Sequence, residues 1–120
     1  VNFLVCFDDA LSIDEGTKLV ADFLKDRNNF ALCIYRNSKL SGVAFFKNDE
    51  EKKRIIVKKQ CFKDEDDAQY SLNYIIGRFA FYTFFIPDKA IQNSKIESVY
   101  KRRGSKIHHE EFGEVYIIKS

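Results

Sequence analysis

Three runs of β-branched and aromatic residues, at positions 30–35, 43–46 and 54–62, are separated by Asn37-Ser38 and by Asn48-Asp49-Glu50-Glu51. Such runs suit a pleated, half-buried surface, and the polar gaps between them have turn chemistry. The strongest constraint on the fold is therefore an antiparallel meander of three strands. In the third run, strict alternation puts Arg54, Lys58 and Gln60 on one side with Ile56, and Ile55, Val57 and Cys61 on the other with Lys53 and Lys59. That division predicts a sheet with one wet face.

Helical signals flank the meander. Ser12-Ile13-Asp14-Glu15 has the S-x-x-E form of a capping box, and Leu19, Val20, Phe23 and Leu24 recur at helical spacing, which predicts a helix over 12–25 with an exit loop at 26–29. Asp64-Glu65-Asp66-Asp67 stand ahead of Ala68, Leu72, Ile75 and Ile76; acids favour a helix amino terminus, so a second helix starts there. We expect it to run on to Phe85, the alternative being an end at Gly77 followed by a strand at 79–86. Pro87-Asp88 suits the first turn of a third helix carrying Ile91, Ile96, Val99 and Tyr100. Short strands are expected at 2–7 and 114–118. The sum is an α+β fold of order β-α-β-β-β-α-α-β, a mostly antiparallel sheet packed by two or three helices.

The one proline and the lack of any Ser/Gly-rich stretch make residues 1–120 a single expected domain. At 120 residues and 45% apolar, the chain is large enough to build a core without metal or disulfides. No window reaches the roughly 18 apolar residues of a membrane span, and the first residues lack the basic flank of an export signal. A cytoplasmic protein is expected. Cys6, Cys33 and Cys61 are odd in number and have no C-x-x-C spacing, so buried, reduced thiols are expected. Abundant Phe, Ile, Lys and Asn with one Pro and no Met or Trp suggest an AT-rich gene.

Phosphate-loop, dinucleotide, zinc-protease, hydrolase and calcium-loop signatures are all absent, so neither cofactor nor metal is expected. Three charged clusters remain. Residues 101–111 gather Lys101, Arg102, Arg103 and Lys106 with His108, His109, Glu110 and Glu111. Cations could hold phosphates while a histidine acts as acid or base, although adjacent histidines on a strand face opposite ways. Lys52, Lys53, Arg54, Lys58 and Lys59 form a second basic region, suited either to a strand edge or to a binding rim. The acidic run at 64–67 suits a helix start or a surface that meets a basic partner. The aromatic belt at 70–85 reads as core.

With catalytic signatures lacking, the sequence leans away from an enzyme. It points to a small protein-binding module of the inhibitor or immunity kind, neutralising a partner protein such as a basic toxin or nuclease. Asp64, Glu65, Asp66, Asp67, Arg54, Lys58, Arg102 and Arg103 are the expected partner-binding residues. The alternative is an RNA-binding protein or metal-independent ribonuclease built on residues 101–111.

Overall fold

Residues 13–119 are described by the structure, a computed structural model. Helix α1 (Ile13–Leu24) leads into β1 (Asn29–Arg36), β2 (Lys39–Asp49) and β3 (Arg54–Phe62), the three strands expected from composition. Asn37 and Ser38, both at positive φ, form the two-residue turn between β1 and β2, whose local twist matches that of paired strands. Helix α2 (Glu65–Arg78) follows, then β4 (Thr83–Pro87), a 3₁₀ turn at Asp88–Ala90, α3 (Ser94–Lys101), β5 (Ser105–His109) and β6 (Gly113–Lys119).

The six strands form one sheet in the order β1-β2-β3-β4-β6-β5. Neighbours are antiparallel except β3 and β4, which run parallel because α2 carries the chain across between them. Helices α2 and α3 pack on one face, where Phe46, Ile55, Val57, Phe84, Ile86 and Tyr116 meet Leu72, Ile75, Ile96 and Val99. The opposite face carries two smaller patches. On one, Val20 and Phe23 of α1 lie on Val43, Phe45 and Cys61; on the other, Phe112 and Ile117 flank Ile56, Phe85 and Val115.

The expected alternation in β3 fails at one residue. Phe45 pairs with Lys59 but Phe46 pairs with Val57, so Lys58 is an extra residue in a β-bulge. A bulge transfers every later side chain to the other face. Gln60 and Phe62 therefore join Ile55 and Val57 on the face packed by α2 and α3, while Cys61 lies under α1 with Phe45. The face expected to be wet is instead partly covered by its two apolar patches.

Three further expectations are corrected. Helix α2 stops at Arg78 instead of running to Phe85, because the Thr83-Phe84-Phe85-Ile86 run gains a place in the sheet centre beside β3 and β6. Pro87 ends that strand rather than opening a long helix, and α3 begins only where Asn93 caps it by accepting from the Ile96 N–H at 3.0 Å. Residues 105–109, where the expected order has no strand, pair with β6. The described order is thus α-β-β-β-α-β-α-β-β; the strand expected at 2–7 lies outside the described residues. Gly104 makes the α3–β5 connection feasible, since a Cβ there would sit 2.5 Å from the Ile117 carbonyl oxygen.

Candidate functional site

The parallel pairing of β3 with β4 covers only Arg54↔Thr83, Ile55↔Phe84 and Ile56↔Phe85. Beyond it the two strands part, and among the described residues β3 continues to Phe62 with strand pairing on its β2 side alone. A crevice of about 340 Å³ opens there, lined by Lys58, Lys59, Gln60, Lys89, Ala90, Ile91 and Gln92. Crevices at the carboxyl ends of parallel strands are where open sheets bind ligands, because backbone groups and loops converge there.

Two amides define its chemistry. The Gln92 side chain pairs with the Phe62 backbone as a peptide would, its Oε1 accepting from the Phe62 N–H at 2.5 Å and its Nε2 donating to the Phe62 carbonyl at 3.4 Å. The exposed edge of β3 thus already recognises an amide at its last residue. Deeper in, Gln60 is buried and its Nε2 donates to the Tyr100 hydroxyl at 2.8 Å. With Nε2 engaged, Gln60 presents Oε1 as an acceptor. Burial, opposed in part by this hydrogen bond, holds the Tyr100 hydroxyl well above the usual tyrosine range, so it stays neutral.

Lysines surround these amides. Lys58, Lys59 and Lys89 line the crevice, and Lys47, on β2 at the position paired with Ile56, is close enough for its charge to act on Lys58. Partial burial, with the charges of Lys47 and Lys89, holds the Lys58 ammonium below its ordinary value; Glu111 acts in the opposite sense.

Helix α2 starts directly after β3, and a helix start beside such a crevice ordinarily attracts anions. Here the chain's own carboxylates fill it. Asp64 caps the helix, accepting from the Asp67 N–H at 3.2 Å. Arg36 lies 3.2 Å from both Asp64 oxygens and 2.7 Å from Asp67 Oδ1, and Ser41 donates to Asp67 Oδ2. Asp67 is fully buried, while Glu65 and Asp66 are exposed.

The residues singled out from sequence are dispersed. Asp64 and Asp67 belong to the α2 start and its Arg36 clamp. Arg54 is largely buried, 2.7 Å from Asp49 and 3.1 Å from Glu111, with its guanidinium over the Phe85 and Phe112 rings. Arg102 and Arg103 follow α3, exposed, and Arg103 donates to Asn73. Only Lys58 reaches the crevice. His108 and Glu114 face each other across β5 and β6 at 3.0 Å, whereas His109 stacks on Phe112, so the two rings do not converge. Among the described residues no group of His, Cys, Asp or Glu is placed to hold a metal ion, and no helix is long and apolar enough to cross a membrane. The thiol expectation is corrected twice: Cys33 is exposed on β1, and Cys61 is disulfide-bonded.

Sequence reasoning missed Gln60, Gln92 and Tyr100. A glutamine after a bulged lysine in an apolar strand was the available signal, but the bulge that turns it inward leaves no mark in composition.

No protein-family model and no curated protein sequence matches this chain. Solved structures do match its fold. The N-acetyltransferase PseH of Campylobacter jejuni, in complex with acetyl coenzyme A, has a TM-score of 0.62 at 14% identity, covering 95% of this chain and 85% of that one. The PaiA N-acetyltransferase of Thermoplasma acidophilum, in complex with coenzyme A, has 0.62 at 10% identity, covering 98% and 86%. An aminoglycoside 6'-acetyltransferase type Ii has 0.61 at 11% identity, covering 87% and 76%. The fold is that of the GNAT acetyltransferases. These matches overturn the expected inhibitor or immunity module and its basic toxin or nuclease partner, as well as the ribonuclease alternative, since every one of them is an acetyltransferase.

Proposed function

We propose that this chain is an acyltransferase domain that transfers an acyl group to an amine in the β3–β4 crevice. The observation that carries the reading is the exposed edge of β3 beyond Ile56, which already binds the Gln92 amide at Phe62. An acyl-CoA, the class of molecule bound in one neighbouring structure, supplies an acyl group activated as a thioester.

The crevice suits the amide-bearing arm of such a donor: the β3 backbone before Phe62 and the carboxamide of Gln60 offer it hydrogen-bond partners. The start of α2 does not suit the donor's phosphates. Asp64, Glu65, Asp66 and Asp67 stand there, and Arg36 is already engaged. We assign no phosphate contact to it.

The chain's own residues act on the acceptor in two ways. Gln60, fixed by Tyr100, offers Oε1 to an amine N–H and so orients its lone pair; Tyr100 is a positioning residue. Lys58 and Lys89 lower the proton affinity of a nearby ammonium, which favours the neutral, nucleophilic amine. Among the described residues no carboxylate or histidine lines the crevice. The neutral amine attacks the thioester carbonyl, the amide C–N bond forms as the C–S bond breaks, and the proton lost from the amine nitrogen passes, directly or through water, to the departing thiolate, which leaves as the free thiol; the described residues serve this step by positioning and electrostatics.

The test is incubation with acetyl-CoA and a panel of primary amines, followed by mass spectrometry of the amines. Acetylated amine in amounts that fall at least about tenfold in Gln60→Leu is expected, a loss equivalent to about 1.4 kcal/mol of transition-state stabilisation. Transfer at the uncatalysed rate for every amine, together with no binding of acetyl-CoA, would overturn the reading.

A further inference from the structure

We propose that the acceptor is an amine that also carries an anionic group, a carboxylate or a phosphate, held by Lys58 and Lys89. This inference rests on the acyl-transfer reading for the word acceptor, but the anion site stands on its own observations.

The first is uncompensated charge. Several cations of the chain are paired, Arg36 with Asp64 and Asp67, Lys53 with Glu50, Arg54 with Asp49 and Glu111, and Lys106 with Asp88 and Glu97. Among the described residues, Lys47, Lys58 and Lys89 have no carboxylate within ion-pair distance. Glu111 is the one carboxylate close enough to influence Lys58, and it lies 3.1 Å from Arg54.

The second is enclosure. Lys58, Lys59 and Lys89 line a crevice instead of projecting from a convex surface, and Ala90, Ile91 and two glutamine amides complete its walls. Like charges held together and partly withdrawn from water depress the Lys58 ammonium, and a bound anion relieves that repulsion. The third is the closed alternative. The start of α2, the other place in this region where an anion would be stabilised, is filled by Asp64 and Asp67. A polycationic acceptor is disfavoured by the same lysines.

The experiment measures binding rather than turnover. Amide shifts of the uniformly ¹⁵N-labelled protein are followed by NMR during titration with phosphoethanolamine, 4-aminobutyrate, propylamine and the polycation kanamycin, and affinity for coenzyme A is measured in parallel. Lys58→Gln/Lys89→Gln is compared with the unmodified chain; both lysines are exposed, and retained amide dispersion shows that the variant is folded. The expected result is saturable shifts at residues 58–60 and 89–92 with at least one of the two anionic amines, weakened about tenfold in the variant and by added salt, a larger loss than that of coenzyme A affinity. Which anionic amine binds distinguishes phosphate from carboxylate. Equal binding of propylamine or kanamycin, or no effect of the lysine substitutions, overturns the proposal. So does a loss of coenzyme A affinity in the variant as large as that of the anionic amine, which would assign the lysines to the donor. Lysine-dependent binding of an anionic amine without any coenzyme A binding would leave the anion site standing and bring down the acyl-transfer reading instead.

Discussion

Replacing Tyr100 by Phe removes one oxygen from a place that water does not reach: Tyr100 is 2% exposed and Gln60 4%. The ring remains to fill its volume, so the change isolates the 2.8 Å hydrogen bond from Gln60 Nε2. Leaving that buried amide N–H without an acceptor costs about 1–3 kcal/mol. For a chain of 120 residues, an unfolding entropy of about 2.1 cal/mol/K per residue converts each kcal/mol into about 4 °C, so Tm should fall by about 4–12 °C. Gln60→Leu alone should also destabilise, because it strands the Tyr100 hydroxyl. The double variant, with both groups apolar, should lose less than the sum of the two single losses. Thermal unfolding followed by circular dichroism, with urea titrations to confirm unchanged m-values, completes the cycle. Strictly additive losses, or a Tyr100→Phe variant as stable as the parent, would refute the claim that these two residues form one buried polar pair.

Three further outcomes are expected. Gly104→Ala should destabilise by about 1–3 kcal/mol through overpacking, since its Cβ would meet the Ile117 carbonyl oxygen at 2.5 Å and Ile118 Cγ1 at 2.6 Å; an unchanged urea midpoint would contradict this. Stability should decline at both ends of the pH range. Asp49 is held below its ordinary value first by the hydrogen bond from Arg54, and Glu97 by that from Tyr116, so their contribution is present above the unfolded carboxylate values near 4 and is lost as pH falls through the folded ones. Burial first, then Glu97, pushes Tyr116 up to about 12, so its contribution is complete below the unfolded tyrosine value near 10 and is lost as pH rises from there. Urea midpoints flat from pH 5 to pH 2, or flat from pH 9 to pH 12, would refute the corresponding half. Finally, Cys33 should react with a thiol reagent in the native state while Cys61 does not; partial burial raises the Cys33 thiol, so its rate at pH 7 should fall below that of free cysteine. Peptide mapping of the labelled protein distinguishes the two sites.

What was legible in the sequence was what neighbouring residues decide together. The strands at 30–35, 43–46 and 54–62, the turn at Asn37-Ser38 and the acidic start of α2 all follow from local patterns, and all are present. Distant partners decided the rest. Residues 83–86 are apolar enough for helix or strand, and the choice falls to β3 and β6, which offer them a place between two strands. The run at 64–67 reads as four equivalent solvated charges, yet Asp67 is buried because Arg36 and Ser41, far away in the chain, meet it there. In the crevice, the side chains that matter come from β3, the segment after β4, and α3. The parting of β3 from β4, which brings them to one place, is a property of the sheet and has no counterpart in any local window.

Amide shifts, this time on addition of coenzyme A, give the most direct test of the central claim that the β3–β4 crevice binds the amide-bearing arm of an acyl donor. The account predicts saturable binding with the largest shifts in residues 57–62 and 89–92, and the same pattern with pantetheine, which keeps the arm and lacks the nucleotide. Absence of binding at millimolar concentration, or shifts that instead centre on the 101–111 segment or the β1 edge, would contradict it.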